Sequence, residues 1–288
     1  MKDPVNICAC NKLFDEKTLH PLASLIDLSA ECKEEAIRLD SYAVLLQRNG
    51  ADERRFGRQS CDFSDATLLF RSPEKTIDLE KDNLCEHKGK LLIFHPDLFC
   101  GTPLGQQIGN FNFFRYRLDE SLHISCKERK AVECCIDEIG RELEWGIDSL
   151  TAPILCDLIT LLLHYCQRFY QRQFITREIT SEGILTQFRE AVDEYLRSGR
   201  IQDEGKPCAS MFTEPMDIST AYLNDLLKHA TGKEFDCYFQ LRRIEMAKRW
   251  MATDDDEKIS QKLGFKSLEC FHSLFKKVTG VSTQEYRN

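Results

Sequence analysis

With 288 residues, 42% hydrophobic and 30% charged, the chain has the composition of an ordinary globular protein with room for two domains. No apolar run is expected to span a membrane, because the most apolar stretch, "APILCDLITLLLHYC", is interrupted by Asp157 and His164 and reads as a buried helix. The polar start, "MKDPVNICACNKLFDEK", has no export signal, so the expected location is the cytoplasm, with no membrane partner. The net charge of −8 is uneven: from Lys258 onward six Lys and Arg stand against two Asp and Glu, so any basic surface is local. The 14 cysteines form no C-x-x-C pair and no zinc-ligand pairs, and they read as reduced thiols.

Up to about residue 118 the pattern is strands and turns. "YAVLLQRNG", "ATLLFRSP", "KLLIFHP" and "NFNFFRYRL" are short apolar runs punctuated by Gly, Pro, Asp and Asn, which suggests an antiparallel barrel or sandwich. The period then changes. Ser125 followed by Glu128 is a capping box, and Val132, Cys135, Ile136, Ile139 and Leu143 form one helical stripe. A second helix, "APILCDLITLLLHYCQRFYQRQF", is apolar on more than one side. A third carries Ile184, Leu185, Phe188, Val192, Tyr195 and Leu196 inward and ends near Gly199. The polar "RIQDEGKP" reads as linker.

The C-terminal part repeats itself at a spacing of 48 residues. Ser219 falls on Ser267, Leu223 on Phe271, Leu226 on Leu274, Leu227 on Phe275, Lys228 on Lys276, Thr231 on Thr279 and Gly232 on Gly280. In each copy a serine is placed to N-cap a helix, apolar residues recur at i, i+3 and i+4, and a glycine supplies the left-handed end. Before the second copy, Ile259 and Leu263 mark a short helix, Gly264 a turn and Phe265 a residue packed beneath it, which together predict a helix-turn-helix. "CASMFTEPMDIS" should do the same before the first copy, less well, because Pro215 would end its helix early and Asp217 stands where the turn wants Gly or Asn. Between them Tyr238, Leu241, Ile244, Ala247 and Met251 predict one long helix, which could set two recognition helices about 34 Å apart, one turn of DNA.

These residues resemble the AraC/XylS family of bacterial transcription regulators. The family's C-terminal signature is matched by Leu263, Gly264, Phe265, Phe271, Phe275, Lys276, Lys277, Gly280, Tyr286 and Arg287, over about 80 residues. The resemblance implies an N-terminal cupin-like effector and dimerisation domain, and mostly activators that contact RNA polymerase. Departures are Asp225 and Ser273 where the family often has Arg, Thr283 where it usually has Pro, and an acidic "ATDDDE" loop.

The fold class expected is α+β: an N-terminal cupin-like β-barrel or jelly roll with following helices (residues 1–198), a linker (199–206), and an all-α DNA-binding domain (207–288). That domain would hold helix-turn-helix units at 207–232 and 257–280 joined by a linker helix at 235–251. Candidate DNA-facing residues are Thr220, Ala221, Asn224, Asp225 and Lys228 on the first recognition helix, and Leu268, Glu269, His272, Ser273 and Lys276 on the second. Asn224 could make a bidentate contact to adenine, and Lys276, Lys277 and Arg287 suit phosphates. Ser219, Gly232, Arg243, Ala247, Gly264, Phe265, Ser267, Phe271, Phe275 and Gly280 are structural, with Arg243 read as one half of an ion pair.

The function read from the sequence is a sequence-specific DNA-binding regulator, an activator responding to an unidentified small effector, without catalysis, cofactor or metal. Its partners would be double-stranded DNA, RNA polymerase and a second copy of itself, with helices in residues 125–170 as the candidate dimer surface. His95 in "IFHPDLF" lacks the second His and the Glu of a cupin metal site, and "GTPLGQQIG" lacks the Lys of a phosphate loop. The rival readings are a regulator acting mainly through protein contacts, with weakened DNA binding, and a cupin enzyme with a DNA-binding tail.

Overall fold

A computed structural model describes residues 4–28, 36–48, 56–73, 75–78 and 89–287. The chain divides into two compact units, Met1–Arg177 and Glu178–Asn288. The first is a mixed unit and the second is helical, so the fold is α+β.

The first unit begins with α1 (Ile7–Leu13), capped by the Asn6 side chain, which accepts from the Ala9 N–H. Seven strands follow: β1 (Ala23–Asp27), β2 (Ala36–Arg38), β3 (Tyr42–Arg48), β4 (Ala66–Arg71), β5 (Thr76–Asp78), β6 (Gly89–Phe94) and β7 (Leu122–Ile124). Five pair antiparallel in the order β1-β6-β3-β4-β7, and β2 pairs with β5 in a separate ribbon. The cupin-like barrel expected from the sequence is thus, among the described residues, one five-stranded sheet and one two-stranded ribbon; the Asn49–Gly50 turn lies outside the described residues. Because side chains alternate along a strand, the central β3 buries both faces. Ala43 and Leu45 join Leu69, Leu91 and Ile93 in one core with Ile37 and Ile77 of the ribbon and Ile7 and Cys10 of α1. The alternate residues Tyr42, Phe70 and Phe94 face an aromatic cluster with Phe99, Phe113 and Phe114.

The run "NFNFFRYRL", expected as a strand, is instead a chain of 3-10 turns at Ile108–Asn110, Asn112–Arg115 and Leu118–Glu120. A strand would send the neighbours Phe113 and Phe114 to opposite faces. The turn lets both rings meet Phe70, at 4.5 and 5.6 Å between centroids. The short α2 (Pro103–Gln107) precedes these turns, and two long helices complete the unit. α3 (Cys126–Glu144) starts on the Ser125–Glu128 capping box and buries the five-residue stripe read from the sequence. α4 (Thr151–Thr176) places Phe169 and Tyr170 in the interior, with the Tyr170 ring 5.5 Å from that of Phe113. A buried polar knot ties the end of α4 to the loop before β4: Arg177 is bidentate to Asp62 (2.6 and 2.8 Å), and both are almost fully enclosed. Beside it His123 lies between Thr67 and the Phe56 carbonyl, and burial pushes its imidazole down to about 4.

His95 caps the 3-10 turn Pro96–Phe99, its Nδ1 accepting from the Asp97 N–H. Among the described residues every cysteine is a free thiol, no three His, Cys, Asp or Glu gather to hold a metal, and no helix is long and apolar enough to cross a membrane.

The second unit contains α5 (Glu178–Arg197), α6 (Arg200–Glu204), α7 (Ser210–Thr213), α8 (Thr220–Thr231), α9 (Phe235–Trp250), α10 (Asp256–Lys262), α11 (Leu268–Thr279) and α12 (Thr283–Arg287). Two findings differ from the sequence boundaries. α5, assigned to the N-terminal domain, buries Phe188, Val192, Tyr195 and Leu196 in the core of this second unit, beside Phe212, Phe235 and Phe239. The segment 199–206, assigned as linker, contains α6, whose Ile201 is buried in the same core. Polarity hid this, because one apolar residue among eight is enough to dock a single helical turn.

Candidate nucleic-acid interface

Both repeats form capped helices. Ser219 Oγ accepts from the Tyr222 N–H at 3.0 Å to start α8, and Gly232, at φ +70°, ends it. Ser267 Oγ accepts from the Cys270 N–H at 3.2 Å to start α11, and Gly280, at φ +83°, ends it. Each helix is twelve residues long and buries one side: Leu223, Leu226 and Leu227 in α8, Phe271 and Phe275 in α11. Asp217 enters the left-handed region, at φ +54°, in the turn before α8, a conformation that Asp tolerates better than most residues. α7 is a single turn ending at Thr213, since Pro215 has no N–H to extend it.

The turn before α11 needs glycine for two reasons. Gly264 lies at φ +64°, and a Cβ there would meet Ile201 Cγ1 at 2.8 Å and the Ile201 carbonyl oxygen at 3.1 Å. α6 therefore packs on the turn of the second unit. Leu263, the residue that follows α10, offers its carbonyl to Arg243 of α9, which donates to it from Nε and Nη2 at 3.0 and 2.6 Å. Arg243 also stacks over the Phe265 ring at 3.6 Å. The expected ion pair is absent: Arg243 is buried, and among the described residues it has no carboxylate partner. Burial pushes its guanidinium down to about 10. A carbonyl and an aromatic face serve because guanidinium is weakly hydrated and planar.

A carboxylate clamps the second unit. Asp256, at the first position of α10, accepts from Arg287 of α12 (2.7 Å) and pairs with His272 Nε2 of α11 (2.9 Å) and with the Thr283 side chain. Arg287 also donates to the Met251 and Asp254 carbonyls. Burial alone would raise the Asp256 carboxyl, but the bonds from Thr283, Arg287 and His272 outweigh it and hold the group below the usual carboxylate range. Arg287 is thus engaged in joining α12 to α10, where the sequence reading had it at a phosphate. His272, taken as base-facing, is tied to Asp256. Thr283 uses a hydroxyl that proline would lack.

The remaining candidates separate by exposure. On α8, Thr220, Ala221, Asn224 and Asp225 are half-buried. Asn224 Oδ1, the acceptor a bidentate adenine contact requires, takes the Phe235 N–H at the start of α9 (3.0 Å). Lys228 is exposed and lies 3.5 Å from Glu234. On α11, Leu268, Glu269, Ser273, Lys276 and Lys277 are all exposed. Their spacing puts Glu269, Ser273 and Lys276 on the side opposite Phe271 and Phe275, while Leu268 lies on the side of those two rings at the start of the helix. Lys266, in the turn before α11, is exposed as well and was not singled out from the sequence, although it belongs to the basic tail.

Between the two units runs α9, sixteen residues and so about 24 Å long at 1.5 Å per residue. Of the predicted stripe it buries Tyr238, Ile244 and Ala247, with Leu241 half-buried, and it also buries Phe239, Arg243 and Met246, because α5, α8 and α11 pack on several of its sides.

Residues 213–288 match the family model described as "Helix-turn-helix domain". No curated protein matches the chain. Among solved structures, the C-terminal domain of the two-component response regulator yesN from Fusobacterium nucleatum is 27% identical over 31% of this chain and 92% of that one, with a TM-score of 0.26. The C-terminal domain of AraT, a response regulator from Geobacillus stearothermophilus, is 22% identical over 36% and 83%, with a TM-score of 0.31. ToxT from Vibrio cholerae is 12% identical over 92% and 97%, with a TM-score of 0.27. The matched residues contain both capped helices, α8 and α11. Residues 213–288 are a helix-turn-helix domain, the kind of module that binds DNA.

Proposed function

We propose that this regulator is an activator that reads duplex DNA through α8 and α11, with α11 as the stronger reader, and that the first unit binds a small effector or tunes dimerisation. The observation that carries the reading is the pair of twelve-residue helices with the same start and stop chemistry, separated by one sixteen-residue helix. The exposed Lys276 and Lys277 support phosphate contacts from α11, which position the domain without specifying sequence. Exposed Trp145, Ile147, Leu150, Ile154 and Leu161, in and around the α3–α4 connection, support self-association through that surface. The cytoplasm and an RNA polymerase partner follow from the function proposed.

Selection of bound duplexes from a random pool with the full chain tests this. Two half-sites about ten base pairs apart are expected. One short site would restrict the reading to α11.

A second reading, a regulator working mainly through protein contacts, is favoured by one feature: α8 carries a half-buried carboxylate, Asp225, and its only exposed candidate cation, Lys228, lies beside Glu234. Footprinting upstream of its own gene separates the two. Absence of protection at every concentration, with and without candidate effectors, would favour this second reading.

A further inference from the structure

In the second unit α5, α9 and the turn after α8 border an open cleft of about 500 Å³, within the size range of small-molecule sites. Four cations line it, Arg189, Lys233, Arg242 and Arg249, against two carboxylates, Asp193 and Glu245. Helical spacing alone would quench most of this excess. Arg189 stands four residues before Asp193 on α5, and Arg249 four residues after Glu245 on α9. Neither pair closes, because Arg242 takes both carboxylates. Its Nε and Nη2 donate to Asp193 at 3.1 and 2.6 Å, and its Nη1 donates to Glu245. Arg249 is left 4.0 Å from an Asp193 oxygen that already accepts from Arg242. Arg189 and the half-buried Lys233 make no ion pair among the described residues. Arg242 therefore suffices to fasten α5 to α9, and the fold gives the other three cations no partner of their own. Beside them the buried Tyr238 and the half-buried Leu241 supply an apolar wall.

We propose that this cleft binds a small phosphate monoester, with the phosphoryl group among Arg189, Lys233 and Arg249 and the organic part against Tyr238 and Leu241. A phosphate monoester carries a charge of about −1.5 to −2 at neutral pH and three strong acceptor oxygens, which suits an excess of two positive charges and three available donors. Guanidinium is planar and weakly hydrated, so Arg189 and Arg249 can each donate twice to phosphate oxygens, while Lys233 acts as a point charge. Arg242, held by two carboxylates, stays out of the contact. The cleft meets α8 only at Thr231, its last residue, whereas the base-reading end of such a helix is the first. The inference therefore stands apart from the DNA-binding reading above.

The test is calorimetric titration of the full chain with phenyl phosphate and with inorganic phosphate, at fixed ionic strength. Saturable binding is expected, with phenyl phosphate the tighter by roughly five-fold because its ring leaves water. The double variant Arg189→Gln with Lys233→Gln should bind phenyl phosphate at least about ten-fold more weakly, the effect of losing one charge-assisted hydrogen bond. It should keep the wild-type melting temperature, since neither side chain is paired within the fold. Undiminished binding by the double variant would place the anion elsewhere and overturn the proposal. Failure of phenyl phosphate to saturate the wild type overturns it too. If the double variant then lowers the salt slope of duplex binding, the cleft grips the DNA backbone instead of a free ester. A wild-type chain that takes up phenyl phosphate and binds no duplex would sink the DNA-binding reading and leave this one standing.

Discussion

Sliding the first helix-turn-helix unit over the second by 48 residues sets Cys208 on Asp256, Tyr238 on Tyr286 and Phe239 on Arg287. The pairs behave differently. Tyr238 and Phe239 are buried at the start of a sixteen-residue helix. Tyr286 is exposed and Arg287 lies in a five-residue helix at the end of the chain. The segment after each recognition helix thus has the same place in the repeat and a different anchor. In the first copy the chain runs on into α9 and is held by apolar burial. In the second the five-residue α12 is held by the Asp256 clamp on Arg287, His272 and Thr283 and by the Tyr286 ring against Phe275. A sixteen-residue helix can rely on the hydrophobic effect, while a five-residue one leans on directional bonds.

Breaking the second turn should produce the largest effect. Gly264→Val combines a disfavoured backbone with a clash against Ile201, and a loss of roughly 3 kcal/mol of stability is expected in chemical denaturation of the full chain. Next comes the clamp. Asp256→Ala should cost about 2 kcal/mol and free the C-terminal helix, seen as faster proteolysis after Gly280. The carboxyl is held below its ordinary value in the folded state, so its contribution is present above about pH 4 and is lost as acid titrates it below that. Wild type should therefore show an acid-dependent loss that Asp256→Ala lacks. No counterpart is expected in the first copy, where Cys208 occupies the equivalent position. The smallest effect belongs to the first turn. Asp217→Gly should shift stability by no more than about 0.5 kcal/mol, because both residues accept the left-handed conformation there. A large loss would show that the first turn is as demanding as the second.

Caps, glycines and apolar spacing made the two recognition helices legible in the sequence, since Ser219, Gly232, Ser267 and Gly280 act within their own helices. So did the three antiparallel strands that kept a clean apolar run. The short strands β1, β2, β5 and β7 did not stand out, because three to five residues carry too little periodicity. The 3-10 path through Phe113 and Phe114 is set by the aromatic cluster that receives them. What each polar side chain does was the least legible. Asn224, His272, Arg243 and Arg287 are all chemically fit for DNA or for an ion pair, and only the folded neighbours show them bonded to Phe235, Asp256, Leu263 and Asp256. The partners lie 11 to 31 residues away, beyond any local pattern.

The central claim, that α11 grips DNA more firmly than α8, is tested most directly by the salt dependence of duplex binding for the full chain, Lys228→Ala, and the double variant Lys276→Ala with Lys277→Ala. The account predicts that the double variant lowers the slope of log affinity against log salt by nearly two, about 0.9 per lost phosphate contact, while Lys228→Ala changes it by less than one. Equal slopes for all three proteins, or a larger change from Lys228→Ala, would contradict it.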